Sequence, residues 1–189
     1  MSLQGNSARR LRMRVAVFAC VTVVALGIDQ VTKALALAKL STLDSVPVIP
    51  GILSLRLLRN PGASLGLASG YTWVISLVAI VACLAMIVMV IRTSSMVWTL
   101  LLALAFSGAM GNLIDRVVYA QGFLDGKVVD FLDYGWSVGN VADIILMVAG
   151  VGIVLALFKG IPFGDEAAAP HEDVQEAAVA EQAVGPSDS

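Results

Sequence analysis

The 189-residue sequence has one histidine, two cysteines and few charges, with Asp, Glu, Lys and Arg making up 14% of it against about 25% in a soluble domain. The histidine, His171, lies in a polar C-terminal stretch, which argues against a histidine-based triad or a metalloprotease. Cys20 and Cys83 both sit inside apolar runs, so the sequence points to neither a disulfide framework nor a zinc site. The net charge is −2 with no basic stripe, which excludes a nucleic-acid binder. No internal repeat is evident. What the chain has in quantity is apolar residues, 58% of it, for a mean hydropathy of +0.88. Disorder and a fibrous repeat are thereby excluded, and a small integral membrane protein is indicated.

Four uncharged apolar stretches organise the chain: Val15–Ile28, Tyr71–Ile91, Thr93–Ile114 and Ile144–Phe158, of 14, 21, 22 and 15 residues. A spanning helix needs about 20 residues to cross about 30 Å of hydrocarbon. The middle two meet that unaided. The first reaches it only by continuing through Asp29 to about Leu35, and the fourth only by starting near Val141, which puts Asp143 in its first turn. The third ends in Asn112, Asp115 and Arg116. Three helices therefore carry carboxylates at one membrane surface. Ionisable groups there usually face a protein interior or a wet cavity and often serve function.

Arg9, Arg10, Arg12 and Arg14 crowd the start of the first helix, which places it in the cytoplasm by the positive-inside rule and, after four crossings, returns the C-terminus there. The full count of Lys and Arg flanking the helices is six on each side and decides nothing. The N-terminus imitates a cleaved signal peptide, but only five residues separate Arg14 from Cys20, fewer than an apolar h-region of about 7–15 residues. It reads as a retained helix.

The expected layout is a basic N-terminus over 1–14, a four-helix membrane domain over 15–160, and a tail over 161–189. Extracytoplasmic segments fall at about 38–70 and 115–139. In the first of these, Leu53–Leu58 alternates as a strand does and Asn60-Pro61-Gly62 closes it with a turn. In the second, Lys127–Phe131 reads as another short strand, so a small sheet should lie on the outer surface. The tail holds 7 of the 14 acids and no Lys or Arg, the composition of a disordered cytoplasmic segment.

Three constellations could carry chemistry. Asp29 and Lys33, four apart on one helix face, could pair; an interfacial ion pair with a snorkelling lysine also explains them. Gly108, Asn112 and Asp115 share a helix face, Ser107 and Gly111 form a small-xxx-small pair that admits a close neighbour, and Arg116 could clamp a carboxylate or carbonyl. A capped polar helix end is the plainer alternative. Asn140 and Asp143 suit a helix N-cap and the positive end of its dipole. Capping does not explain Asp130, an acid among Val128, Val129, Phe131 and Leu132, which is either exposed on a strand edge or aimed into a site.

Nucleophilic catalysis lacks a usable histidine or a base near either cysteine. A Ser64–Lys33 pair has no support from spacing, and two acids are thin for a metal site. An aspartyl pair remains: carboxylates sharing one proton cannot both ionise at close range, so one acts as base and the other as acid.

Five blocks occur in order: Asp29-Gln30-x-Thr32-Lys33, Asn60-x-Gly62-Ala63-Ser64, Gly108-x-x-Gly111-Asn112-x-x-Asp115-Arg116, Val128-Val129-Asp130-Phe131 and Asn140-x-Ala142-Asp143. Together they resemble the motif series of bacterial lipoprotein signal peptidase, or signal peptidase II, over roughly residues 15–158. The resemblance implies an α-helical membrane protein of four transmembrane helices with a small extracytoplasmic β-sheet. It also implies an aspartic endopeptidase of the bacterial cytoplasmic membrane, cutting diacylglyceryl prolipoproteins just before the lipidated cysteine. Carried residue by residue, it makes Asp130 and Asp143 catalytic. Asn60, Gly62, Asn112, Arg116, Asn140 and Ala142 fall at positions that line the site or contact substrate, and Asp29, Lys33 and Asp115 at supporting positions. It further implies membrane lipids and globomycin-type inhibitors as ligands, and no metal or organic cofactor. A monomer is expected, because four helices can enclose one site. The chain departs from the family at Leu65, where an aromatic residue is usual, and at Gly139, where Phe is. Tyr119–Lys127 is longer and Leu132–Val138 shorter than usual, which bears on loop shape and inhibitor fit.

Two other readings stand beside this one. A small proton-coupled transporter or channel subunit would place acids at several depths across the bilayer. A non-catalytic scaffold would make Asp130 expendable and residues 161–189 essential.

Overall fold

The computed structural model describes residues 3–62 and 71–164, with side chains from residue 8 onward. Ala63, Ser64 and Leu65 of the second motif lie outside the described residues, as does the acidic tail from residue 165.

Among the described residues, four helices are long and apolar enough to cross a membrane. α1 covers Leu3–Lys39, α2 Thr72–Arg92, α3 Met96–Val118 and α4 Val141–Phe158. The four-arginine cluster forms part of α1 rather than preceding it, because arginine propagates a helix nearly as well as alanine. α3 is the central helix: it packs against α1, α2 and α4, and 44% of its most apolar stretch is buried, against 11–17% in the other three. Small residues allow this. Ala142, Ala149 and Ala156, seven apart on α4, are buried, as are Ala103 and Ser107 on α3. A Cβ on Gly108 would come within 2.7 Å of the Ala142 carbonyl oxygen and of Leu146 Cγ. Without a hydrophobic difference between lipid and helix, such close approach is what holds membrane helices together. Val78, Leu84, Val151 and Leu157 face outward, exposed, where hydrocarbon would meet them.

At one end of the bundle the connection after α4 is tied to the α2–α3 turn. Phe163 O accepts from Thr93 Oγ1 at 2.6 Å, and Ile161 O from the Trp98 indole at 3.0 Å. The first four residues of the expected tail are thus docked on the bundle.

At the other end lies a four-stranded antiparallel sheet in the order β1-β2-β3-β4, with β1 Val46–Ile49, β2 Leu53–Asn60, β3 Val128–Asp133 and β4 Val138–Gly139. β2 and β3 are the strands legible in the sequence. β3 turns back at Tyr134–Ser137, where Gly135 adopts φ +83° and Tyr134 N donates to Ser137 O at 2.9 Å. β4 then runs directly into α4. This hairpin returns the chain so that Asp130 lies beside Asn140, the cap of α4.

Candidate active site

Asn140 caps α4 as the sequence suggests. Its Oδ1 accepts from Asp143 N at 3.1 Å, and its own N–H donates to Asp143 Oδ2 at 3.0 Å, a reciprocal capping box. The cap also serves the strand. Asn140 Nδ2 donates to Asp130 Oδ1 at 2.6 Å, and Asn60 Nδ2, from the end of β2, donates to Asp130 Oδ2 at 2.8 Å. Asn112 of α3 completes the ring, its Nδ2 donating to Asp143 Oδ1 at 2.9 Å while its Oδ1 accepts from Asn140 Nδ2 at 3.1 Å. Two carboxylates from different elements are thus joined through one asparagine. The capping explanation of Asn140 and Asp143 is realised, and the same Asn140 side chain also links the two carboxylates.

The two acids differ in setting. Asp130 is 2% exposed, whereas Asp143 is open to solvent. Burial, which disfavours the charged form, pushes the Asp130 carboxyl from 3.8 up to about 6. The nearby Asp143 charge adds to this, and the bonds from Asn60 and Asn140 and the Lys33 charge oppose it.

Both acids line a cavity of about 740 Å³, together with Asn60, Gly62, Asn112 and Arg116. Its remaining wall is largely apolar, with Ile52, Trp136, Val138, Ile144 and Met147. Polar groups converging in an apolar hollow of this size are the usual form of a ligand site. A second, larger cavity of about 1040 Å³, bordered by Arg59, Trp73, Tyr119 and Lys127, holds neither acid.

Behind the acids lies a dry layer. Lys33 Nζ pairs with Asp29 Oδ2 at 3.0 Å and Asp115 Oδ2 at 2.9 Å, all three side chains almost wholly buried. Asp29 Oδ1 accepts from Ala142 N at 2.9 Å and Asp115 Oδ2 from Val129 N at 3.0 Å. Arg116 donates to Gly62 O at 3.2 Å and to Asn112 O at 3.3 Å, and its buried Nε has no partner among the described residues. The eleven residues that the motif resemblance assigned to the site are therefore in the cavity wall or one layer behind it. Asn140, Ala142, Asp29, Lys33 and Asp115 form the layer behind. Sequence reasoning missed the apolar wall, notably Trp136, which is 75% exposed; an aromatic beside the turn-forming Gly135 was its only signal. It named Gln30 in the first motif without giving it a role; the Gln30 amide donates to Asp29 Oδ2 at 3.0 Å and Gly111 O at 3.3 Å. Among the described residues, no three His, Cys, Asp or Glu side chains converge as metal ligands do.

Comparison with known proteins identifies similar chains. The profile of a family described as signal peptidase (SPase) II matches residues 21–159. A lipoprotein signal peptidase of Bifidobacterium adolescentis is 63% identical over 161 residues, 85% of this chain and 86% of that one. The lipoprotein signal peptidase of Mycobacterium avium is 40% identical over 161 residues, covering 85% of this chain and 86% of its own. A bacterial membrane enzyme solved by the in meso method superposes with a TM-score of 0.70 at 31% identity, covering 80% of this chain and 93% of that one.

Proposed function

This chain belongs to the signal peptidase II family, and from that premise we propose that Asp130 and Asp143 are the catalytic pair of a membrane aspartic endopeptidase that removes the signal peptide from diacylglyceryl-modified prolipoproteins. Cleavage falls just before the lipidated cysteine, at the outer face of the bacterial cytoplasmic membrane, with both termini inside. The observation that carries this reading is the shared asparagine: Asn140 donates to Asp130 through its side chain and to Asp143 through its backbone, which brings a buried and an open carboxylate to one cavity.

The division of labour follows from the settings. Asp130 holds the shared proton, because burial raises its affinity for one. Asp143, exposed to the cavity, is the base. It takes a proton from a water molecule as that water attacks the scissile carbonyl carbon, while Asp130 gives its proton to the carbonyl oxygen. The resulting gem-diol collapses as Asp130 retakes a hydroxyl proton and Asp143 passes its own to the leaving amine. Asn60 and Asn140 hold Asp130, Asn112 holds Asp143, and the Arg116 fork fixes the chain at Gly62.

The apolar wall suits the rest of the substrate. Ile144 and Met147 are exposed on the outward side of α4, so acyl chains on the cysteine can remain in lipid while the peptide bond sits at the acids. Each buried methylene contributes about 0.8 kcal/mol of anchoring, which makes cutting at the interface cheaper than extraction. Globomycin-type peptides would occupy the same hollow, and a monomer encloses the site. A proton relay would need acids spread through the bilayer; here Asp29, Asp115, Asp130 and Asp143 form one connected cluster at one end.

The test is a gel-shift assay with the purified protein and a matched pair of precursors, one carrying diacylglycerol on its cysteine and one unmodified. Cleavage of the lipidated precursor alone is expected; equal cleavage of both would overturn the substrate assignment.

A further inference from the structure

Each supporting carboxylate grips the backbone one residue before a member of the catalytic pair. Asp115 of α3 accepts the amide of Val129, next to Asp130, and Asp29 of α1 accepts the amide of Ala142, next to Asp143. One atom, Lys33 Nζ, joins the two grips at 2.9 and 3.0 Å. The same nitrogen lies 3.1 Å from Asn112 Oδ1 and 3.3 Å from Gly111 O. An ammonium is a donor only, so it holds the oxygen of the Asn112 amide towards itself. The amide's –NH₂ is thereby left facing Asp143 Oδ1, at 2.9 Å. Three routes therefore run from Lys33 to the acids: through Asp115 to β3, through Asp29 to the first turn of α4, and through Asn112 to the Asp143 carboxylate itself.

Stability alone does not account for this arrangement. A buried ion triad is often no more stabilising than apolar side chains of the same volume, and a helix bundle offers many of these. What an apolar replacement cannot reproduce is a fixed distance between two strands of backbone. We propose that Lys33, acting through Asp29 and Asp115, is a positioning residue that sets the separation and orientation of the Asp130–Asp143 pair. Lys33 touches neither acid nor the cavity, and its charge reaches Asp130 only through space, where it lowers the carboxyl's proton affinity, so kcat is compared with each protein at its own pH optimum. The proposal rests on the assignment of the pair above. It also explains the packing at Gly111, where a Cβ would come within 2.5 Å of Asp29 Oδ2: α3 must pass this close for its carbonyl and Asn112 to reach the same ammonium.

The experiment compares four proteins on one lipidated precursor: wild type, Asp130→Asn, Lys33→Met, and the triple variant Asp29→Asn/Lys33→Met/Asp115→Asn. Misplacing reacting groups by about 1 Å costs about 100-fold, so Lys33→Met should lower kcat about 100-fold with KM within threefold of wild type. The triple variant removes every buried charge of the cluster and keeps an oxygen at positions 29 and 115, so it folds even where the single variant does not. With the tie gone, its kcat should stay about 100-fold down although its thermal stability returns. If Lys33 only balances buried charge, the triple variant regains both stability and kcat, and that result would overturn the proposal. An Asp130→Asn protein of normal activity would instead overturn the catalytic assignment, so the two failures are told apart.

Discussion

Replacing Asp130 by asparagine should inactivate the protein and, above about pH 6, make it more stable. The carboxyl titrates at about 6 in the fold against an ordinary 3.8. At about 1.4 kcal/mol per pH unit, that difference is worth about 3 kcal/mol. The sign follows from proton counting. Between the two values the folded state holds more protons than the unfolded chain, so wild-type stability falls as pH rises through this window and stays low above it. Asparagine does not titrate and escapes the loss. Against this, its amide offers one oxygen where the carboxylate offered two, so either Asn60 or Asn140 loses an acceptor, at about 1–2 kcal/mol independent of pH. The net gain is about 1–2 kcal/mol at pH 7.5. The cleaner quantity is the change in the gap between variant and wild type, about 2 kcal/mol between pH 4.5 and 7.5, or about 4–8 °C in Tm for a chain of this length. Thermal unfolding of both proteins in the same detergent at the two pH values reads it directly. A gap that stays constant, or narrows as pH rises, would refute the claim that Asp130 is a strained buried acid.

Gly111→Ala should cost about 1–3 kcal/mol, because its Cβ would meet the Asp29 carboxylate at 2.5–3.1 Å, whereas Gly150→Ala, with nothing within 4 Å, should be neutral or slightly stabilising; denaturation midpoints of the pair check this. With Asp130 as the acid, kcat/KM should decline as pH rises through about 6. Asn60→Ala, which removes a bond favouring the charged form, should move that limb to higher pH; a limb unmoved or moved down would contradict the assignment. Deleting residues 165–189, which lie beyond the family match ending at 159, should leave precursor cleavage unchanged, and a lost activity would give the tail a role.

The membrane character, the four spans and both longer strands were legible because each rests on local pattern. α4 begins at Val141 as its need for length required, and the Asn140–Asp143 cap was readable from two residue types three apart. Less legible was anything made by distance. Lys33 and Asp29 are one helical turn apart and could be paired from the sequence, but Asp115 and the Ala142 amide come from helices that only packing brings close. β1 and β4 were not foreseen, for different reasons. All four residues of β1 are exposed, so they show no alternation, and β4 has two residues, too few for any period. The start of α1 at Leu3 rather than near Val15 reflects a limit of apolar periodicity, which marks where a helix enters lipid and not where it begins. Asp130 was ambiguous between strand edge and site until its burial was known, since a run apolar on both sides of the strand gives no facing.

The central claim is that Asp130 and Asp143 act as one unit on one water molecule. It is tested most directly by single-turnover cleavage of a diacylglyceryl precursor with Asp130→Asn, Asp143→Asn and the double variant, each shown to be folded. Groups that act as a unit are lost together. Each single substitution should therefore lower the rate by about 1000-fold or more, and the double variant should be no slower than the worse single one. Losses that multiply in the double variant, or either single variant turning over at the wild-type rate, would contradict it.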